Sequence, residues 1–267
     1  MKKRKKILVY FISIPLGLYF LALVLVYFFQ EKLLFHPAVI AKGTVTELPE
    51  SISEEYIAMP DSVKLHGLLA RGKAAKGLVF YLHGNGGNAF SWGEGLINAF
   101  PKNYDIFILD YRGYGKSEGS IKSEAEIMSD VTTAFDYVTK KYGYNQVVID
   151  GYSIGTGPAT QLAAKRNVKA LILQAPYYSL SSLIDSKVPL LPDFIKKYTF
   201  ETYNYIGRVK APVYIFHGTD DTLIPYSNSE KLGNISKNIS VIPLPGVGHN
   251  GINENYIFAE KLKEVLQ

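Results

Sequence analysis

A series of short, continuously apolar segments, separated by stretches of helical pattern, constrains the fold of this chain more than any other feature. Strands buried on both faces of a parallel sheet have this continuous pattern, whereas strands with one solvent-facing side alternate apolar and polar residues. The segments are residues 78–82, 106–109, 147–149, 170–173, 213–216 and 241–242. Their alternation with helices predicts an α/β fold built on a mostly parallel, doubly wound sheet.

Local signals support this interpretation. Ser123 and Glu126 have the spacing of a capping box, and Gly143 follows the helical pattern after it as a helix-ending glycine would. Ahead of the central segments, residues 57–59 and 65–70 suggest an opening antiparallel pair. In a doubly wound sheet, ligands bind beyond the carboxyl ends of the strands, so functional residues are expected there.

A charge-free run of 23 residues, 7–29, precedes this body. As a helix it would be about 34 Å long, enough to cross a hydrocarbon core of about 30 Å. A cleaved signal peptide is the alternative, but the run ends in bulky aromatic residues rather than a small-residue cleavage site. We expect a single-pass membrane protein with a basic cytoplasmic tail at 1–6 and a transmembrane anchor at 7–29. A connector at 30–53 would then lead to a domain at 54–267 on the extracytoplasmic side.

Charge and cysteine content exclude several classes of protein. The chain has 29 basic and 24 acidic residues, a net charge of +5, but five of the basic residues lie in the tail at 2–6. The body is therefore formally neutral, which gives no support to nucleic-acid binding. Cysteine is absent, which excludes a disulfide framework, a thiolate nucleophile and a cysteine-based zinc site.

The strongest local motif is Gly151-Tyr152-Ser153-Ile154-Gly155, which directly follows one of the apolar segments and precedes a helical pattern. A G-x-S-x-G sequence between a strand and a helix is typical of a nucleophile elbow, in which the serine hydroxyl stands above the sheet. The alternative is a glycine-rich turn with an incidental serine. The strand–turn–helix context favours Ser153 as a nucleophile.

A serine nucleophile needs a base and an acid. Of the five histidines, His249 alone follows the last predicted strand, in a glycine-rich loop that could bring its imidazole to Ser153, although a surface loop is the alternative. The acid of such a triad can lie between the serine and the histidine in the chain. Asp220 and Asp221 both follow the segment at 213–216, and the pattern alone leaves the choice between them open.

The loop at 83–88 follows the first central strand, at the position that supplies an oxyanion-hole donor in such a site. We expect the backbone N–H groups of Asn85 and Ile154 to bind the oxyanion. A phosphate-binding loop is the alternative, but the Gly-Lys-Ser/Thr ending of a P-loop is missing. The predicted chemistry needs no metal and no organic cofactor.

Together these pieces resemble the α/β-hydrolase family over nearly everything after residue 50. More narrowly, they are similar to its small membrane-anchored serine hydrolases, which include depalmitoylase-like and serine aminopeptidase-like members. The resemblance implies that the acid lies four residues after His217 in His-Gly-x-x-Asp, which is Asp221, and that Ser153, Asp221 and His249 form a triad. The matching stretches are residues 30–37, 83–88, 110–117, 151–155, 217–225 and 248–249.

The expected reaction is hydrolysis of an ester or other acyl bond through an acyl-enzyme on Ser153. A short, largely apolar cap is expected at about 176–211, and beside a membrane anchor it suggests a small-molecule or lipid-like acyl substrate. Tyr152, next to the nucleophile, and Phe194, in the cap, are the expected substrate-binding residues. A thioesterase, a serine aminopeptidase and an inactive membrane-tethered binding protein are the alternatives, and the oligomeric state stays open.

Overall fold

The computed structural model describes residues 2–267, apart from the side chains of residues 2–5 and 8. Met1 and the side chains of residues 2–5, which belong to the expected basic tail, lie outside this description. The first element is helix α1, Lys2–Leu34, which contains Pro15. Its part Val9–Leu34 is long and apolar enough to cross a membrane. The helix continues five residues beyond the expected end of the anchor, so residues 30–34 of the expected connector are helical.

Eight strands form one sheet, six at the apolar segments and two at the expected opening pair, of which the first begins at Ile52 rather than at residue 57. They are β1 (Ile52–Ala58), β2 (Lys64–Ala70), β3 (Leu78–Leu82), β4 (Asp105–Leu109), β5 (Val147–Tyr152), β6 (Ala170–Gln174), β7 (Val213–Gly218) and β8 (Ile239–Leu244). Their order is β1-β2-β4-β3-β5-β6-β7-β8. The pairs β1–β2 and β2–β4 are antiparallel, and the remaining pairs are parallel. The prediction of a mostly parallel α/β sheet is confirmed.

Helices cover both faces of the sheet. They are α2 (Ala89–Ala99), α3 (Glu124–Tyr142), α4 (Thr156–Ala163), α5 (Leu180–Lys187), α6 (Thr202–Ile206), α7 (Ser227–Gly233) and α8 (Tyr256–Val265). Residues of α3 and α4 belong to one apolar core and residues of α2 and α8 to the other. Strands β3 to β6 are therefore buried along their whole length, which explains why their sequences are continuously apolar.

The ends of the helices follow the sequence signals in part. The Ser123 hydroxyl accepts a hydrogen bond from the Glu126 N–H at 3.1 Å, and Gly143 ends α3 with φ of 70°. The Glu126 carboxylate, however, accepts from the N–H of Lys122 rather than from that of Ser123, so only half of the predicted capping box forms. A complete capping box caps α2, where Asn88 and Ser91 exchange hydrogen bonds.

Candidate active site

Ser153 lies at a sharp turn between β5 and α4, as the G-x-S-x-G motif predicts. Its φ of 51° falls in the left-handed region, which residues other than glycine rarely adopt. Both flanking positions must be glycine because neighbouring atoms lie too close to leave room for a Cβ. A Cβ at Gly155 would lie 2.2 Å from the carbonyl oxygen of Leu82, and one at Gly151 would lie 2.6 Å from the Cβ of Ala159. The turn therefore fits only with glycine on both sides of the serine.

Three predicted side chains from separate loops meet at this turn. The Ser153 Oγ lies 3.0 Å from Nε2 of His249, and Nδ1 of the same ring lies 2.7 Å from Oδ2 of Asp221. These distances fit a hydroxyl that donates to the imidazole and an N–H that donates to the carboxylate. Asp220 is exposed, and its carboxylate accepts from the Thr219 hydroxyl at 2.9 Å. Of the two adjacent aspartates, only Asp221 contacts the imidazole.

The Asp221 carboxylate is buried and accepts several hydrogen bonds. Its Oδ1 accepts from the backbone N–H groups of Leu223 and Ile224, each at 2.8 Å, and its Oδ2 also accepts from Nε2 of His217 at 3.2 Å. Burial by itself raises the pKa of this carboxyl, but the hydrogen bonds from the two histidines and the loop outweigh burial and hold the pKa well below its ordinary value. Asp221 therefore stays ionised at neutral pH, as a partner for an imidazolium must.

Tyr152 and Phe194, the expected substrate-binding residues, both lie outside the lining of the cavity at Ser153. The Tyr152 hydroxyl donates to the backbone carbonyl of His249 at 2.5 Å, and its ring packs against Trp92. Tyr152 therefore stabilises the loop that carries His249 instead of lining the cavity. Phe194 is 79% exposed, and its neighbour Ile195 lines the cavity instead.

We expect Tyr152→Phe to lower kcat by up to about tenfold, since it removes one hydrogen bond worth about 1 kcal/mol that holds the His249 loop. KM should stay within about twofold of the wild-type value. Steady-state kinetics on a soluble ester measure both. Tyr56→Phe, which removes a hydroxyl from an exposed side chain on strand β1, is the matched control. A raised KM with unchanged kcat would instead support the substrate-binding role expected from the sequence.

Asn85 and Ile154, the expected oxyanion donors, line the same cavity as Ser153. The Asn85 N–H has no hydrogen-bond acceptor among residues 2–267. The Ile154 carbonyl accepts from the Tyr177 hydroxyl at 3.0 Å, which fixes the chain beside the nucleophile. Asn85 and Ile154 therefore lie at the same cavity as the nucleophile, and their role as oxyanion donors stays a prediction.

The side chain of Asn85 ties its loop to the end of α1, a contact that the sequence analysis missed. Its Nδ2 donates to the carbonyl of Leu34 at 2.6 Å, while its Oδ1 accepts from the His36 N–H and the Tyr114 hydroxyl, each at 3.0 Å. One signal for this contact was the similarity of residues 30–37 to the small membrane-anchored hydrolases. That similarity indicated that residues 30–37 matter, but it did not predict that they contact the loop of Asn85.

A cavity of about 440 Å³ opens at Ser153, within the range of about 300–1,000 Å³ typical of small-molecule sites. Its lining is mostly apolar and comes from three parts of the chain: the end of α1, the segment from Tyr177 to Lys196, and the loops that carry Ser153, Asn85 and Leu223. The sequence predicted an apolar cap. It did not predict that α1 lines the cavity with Val26, Gln30, Leu33 and Leu34.

A buried carboxyl lies three residues before the nucleophile, on β5. Burial raises the pKa of Asp150 to about 8, although Nε2 of Gln174 donates to both of its oxygens at 3.1 Å and lowers the pKa in part. Unfolded, this carboxyl returns to an ordinary pKa near 3.8. Between these two values the folded chain keeps a proton that the unfolded chain has lost.

This proton gives stability a defined pH dependence. The wild type therefore loses unfolding free energy through Asp150 as the pH rises from about 4 to about 8, and the loss levels off above that. Asp150→Asn removes this titration, so its thermal midpoint relative to the wild type should rise from pH 5 to pH 8. Thermal unfolding in detergent measures it, with exposed Asp136→Asn as control. A difference between variant and wild type that is independent of pH would contradict the assignment.

Comparison with known proteins agrees with the fold. Residues 77–204 match the family described as alpha/beta hydrolase fold. The chain is 32% identical over 202 residues to alpha/beta hydrolase domain-containing protein 17B of Xenopus laevis, a match that covers 72% of this chain and 67% of that protein. It is 29% identical over 197 residues to alpha/beta hydrolase domain-containing protein aho-3 of Caenorhabditis elegans, covering 70% and 57%.

Among solved structures, the fold is similar to that of the Pyrococcus furiosus esterase Pf2001, with a TM-score of 0.67 and 17% identity over 86% of this chain and 96% of that one. At this identity the likeness concerns the fold. The chain belongs to the α/β-hydrolase family, which supports an enzyme of the hydrolase class and confirms the recognition made from the motifs. It spans 57 to 67% of the length of the two curated relatives.

Proposed function

We propose that this chain is a membrane-anchored serine hydrolase that cleaves an ester or related acyl bond through an acyl-enzyme on Ser153. The observation that carries the proposal is the hydrogen-bonded series from Asp221 through His249 to the Ser153 hydroxyl, located where an apolar cavity opens. A carboxylate, an imidazole and a hydroxyl in this order form the general arrangement for activating serine.

In the first half of the reaction, Nε2 of His249 takes the Ser153 proton as Oγ attacks the carbonyl carbon of the substrate. The ionised Asp221 stabilises the imidazolium that forms. The N–H groups of Asn85 and Ile154 bind the oxygen that gains negative charge, and one such donor typically contributes about 3 kcal/mol to transition-state stabilisation. The imidazolium then gives its proton to the leaving group, which departs and leaves the acyl group on Ser153.

In the second half, a water molecule takes the place of the leaving group. His249 accepts a proton from the water as its oxygen attacks the acyl carbon, and the same backbone donors bind the oxyanion. Collapse of the tetrahedral intermediate breaks the bond to Oγ, which regains its proton from the imidazolium. The products are a carboxylic acid and the free enzyme.

The character of the cavity favours a lipophilic acyl group. Among the cavity-lining residues that the structure describes, none is acidic, and the charged ones are Lys187 and Lys196. A serine aminopeptidase would need to bind the ammonium group of a peptide N-terminus, for which a carboxylate is the usual partner. The apolar lining therefore favours an ester or a thioester over the amide bond of an aminopeptidase substrate.

Membrane anchoring through α1 and an extracytoplasmic catalytic domain are part of the proposal. The apolar part of α1, Val9–Leu34, has the length of a membrane span and follows the basic cluster at 2–6. Basic residues flanking a span favour the cytoplasmic side, which would leave the hydrolase domain on the other side.

Labelling with a fluorophosphonate tests the proposal in isolated membranes. We expect the full chain to be labelled in the membrane fraction, to stay there after an alkaline wash, and to carry the label on Ser153 by peptide mass spectrometry. An inactive binding protein with this fold would leave Ser153 unmodified. Labelled chain released by the wash would contradict the anchor alone.

A further inference from the structure

One wall of the cavity at Ser153 is formed by the membrane-anchor helix itself. Val26, Gln30, Leu33 and Leu34 line the cavity, and their spacing of four, seven and eight residues from the first puts them on one face of α1. A helix that served only as a membrane anchor would not need a face that lines the cavity. Leu25, on the adjoining surface, is 49% exposed and is absent from the cavity lining.

Polar contacts hold this face of α1 against the cap. The buried Gln30 donates from Nε2 to the carbonyl of Ile195 at 3.1 Å and accepts at Oε1 from the backbone N–H of Lys197 at 2.8 Å. The Lys197 ammonium pairs with Glu31 at 3.0 Å. The side chain of Gln30 therefore fixes both the position of the helix and the position of the cap loop, so the cavity between them has a defined shape.

The cavity extends along the anchor toward the membrane interior. Leu34 lies at the Ser153 end, where its carbonyl accepts from Asn85, and Val26 lies eight residues earlier, about 12 Å along the helix axis. The cap follows the helix further still, since the Tyr19 hydroxyl donates to the carbonyl of Leu190 at 2.6 Å. The far end of the cavity therefore lies beside the apolar part of α1.

The cap segment beside α1 exposes three large apolar side chains, together with the charged Asp193. Val188, Leu190 and Phe194 are 50%, 76% and 79% exposed. A cluster of exposed apolar side chains continuous with a membrane-spanning helix is covered most simply by the same bilayer. With the bilayer over these side chains, the far end of the cavity would lie next to lipid rather than water.

We propose that the cavity is an acyl-chain site shared between α1 and the cap, and that it takes long-chain acyl esters laterally from the bilayer leaflet beside the catalytic domain. The inference rests on the proposed serine hydrolase function and specifies its substrate class. The carbonyl of the ester reaches Ser153 near Leu34, while its hydrocarbon chain lies along α1 toward Val26. Each methylene buried there favours binding by about fourfold, so chain length decides specificity.

The experiment compares Val26→Trp with Leu25→Trp in the full chain, reconstituted in phosphatidylcholine vesicles. Hydrolysis of 4-nitrophenyl palmitate and 4-nitrophenyl butyrate is measured per fluorophosphonate-labelled site, which corrects for any misfolded fraction. In Val26→Trp the indole fills the far end of the cavity, so the palmitate-to-butyrate ratio of kcat/KM should fall by about tenfold or more, the value of two lost methylene contacts. Leu25→Trp adds the same ring outside the cavity and should leave the ratio unchanged.

Each outcome bears on a separate claim. An unchanged ratio in Val26→Trp, or an equal fall in Leu25→Trp, would overturn the inference while leaving the hydrolase proposal intact. A wild type that labels nowhere and cleaves neither ester would contradict the proposed function itself. Lateral entry has its own test, since palmitate ester held in separate vesicles should be cleaved much more slowly than ester in the enzyme's own bilayer. Equal rates would contradict entry from the membrane.

Discussion

Ser153→Ala is expected to lower kcat for ester hydrolysis by about 10⁴- to 10⁶-fold, because it removes the atom that carries the acyl group. The residual rate would come from the oxyanion donors and substrate binding, which the substitution leaves in place. The fold should survive, since the Ser153 hydroxyl bonds to His249 and to no other side chain among residues 2–267.

The measurement is kcat with a soluble ester in detergent, together with thermal unfolding to verify the fold. Ser129→Ala, on the exposed side of α3, is the control for loss of a serine hydroxyl elsewhere. A Ser153→Ala variant that keeps kcat within about tenfold of the wild type would exclude Ser153 as the nucleophile. It would leave the family assignment untouched, because that assignment depends on the fold and the sequence matches.

Asp221→Asn is expected to lower kcat by about 10⁴-fold, because a neutral amide can hold His249 in the wrong tautomer and cannot stabilise the imidazolium. Asp220→Asn should change kcat by less than about twofold, since that carboxylate is exposed and, among the described residues, accepts only from the Thr219 hydroxyl. The two substitutions make the same chemical change at adjacent positions, so their comparison isolates the contact with the imidazole.

Asp221 also accepts backbone hydrogen bonds from its own loop, so the rate must be separated from stability. The thermal midpoint of each variant, compared with the assay temperature, provides this separation. A variant that is still folded at the assay temperature has lost rate for a chemical reason. A larger loss of kcat at Asp220 than at Asp221 would reverse the assignment of the acid. Equal losses with a lowered midpoint would point to damage of the loop rather than to chemistry.

The parts of the fold that could be predicted are those encoded by local pattern. Continuous apolar runs indicate burial on both sides, and strands β3 to β6 lie where those runs do. The elbow was predictable because Gly151 and Gly155 face backbone and side-chain atoms closer than any Cβ could approach. The choice of His249 needed only the chain order of strands and loops, because the carboxyl ends of parallel strands meet at one edge.

The parts that could not be predicted depend on contacts between distant segments. The local pattern does not indicate that the helix continues through Gln30, which follows the apolar run. Nor does it indicate that this side chain bonds to the cap, more than 160 residues later in the chain. Phe194 and Ile195 are equally apolar in sequence, and only packing decides that the second one lines the cavity. Tyr152 adjoins the nucleophile in the chain, yet its hydroxyl bonds to the backbone carbonyl of His249 and its side chain does not line the cavity.

The hydrogen bond between Leu34 and Asn85 joins the end of the proposed membrane span to the loop that we propose binds the oxyanion. A span that is longer or shorter than the surrounding hydrocarbon layer tilts to fit it, and small changes in tilt displace the ends of a helix most. Here such a displacement of the end of α1 would move the loop of Asn85, whose backbone N–H is the proposed oxyanion donor. Lipids of different chain length are therefore expected to tune the rate of this enzyme without binding to its active site.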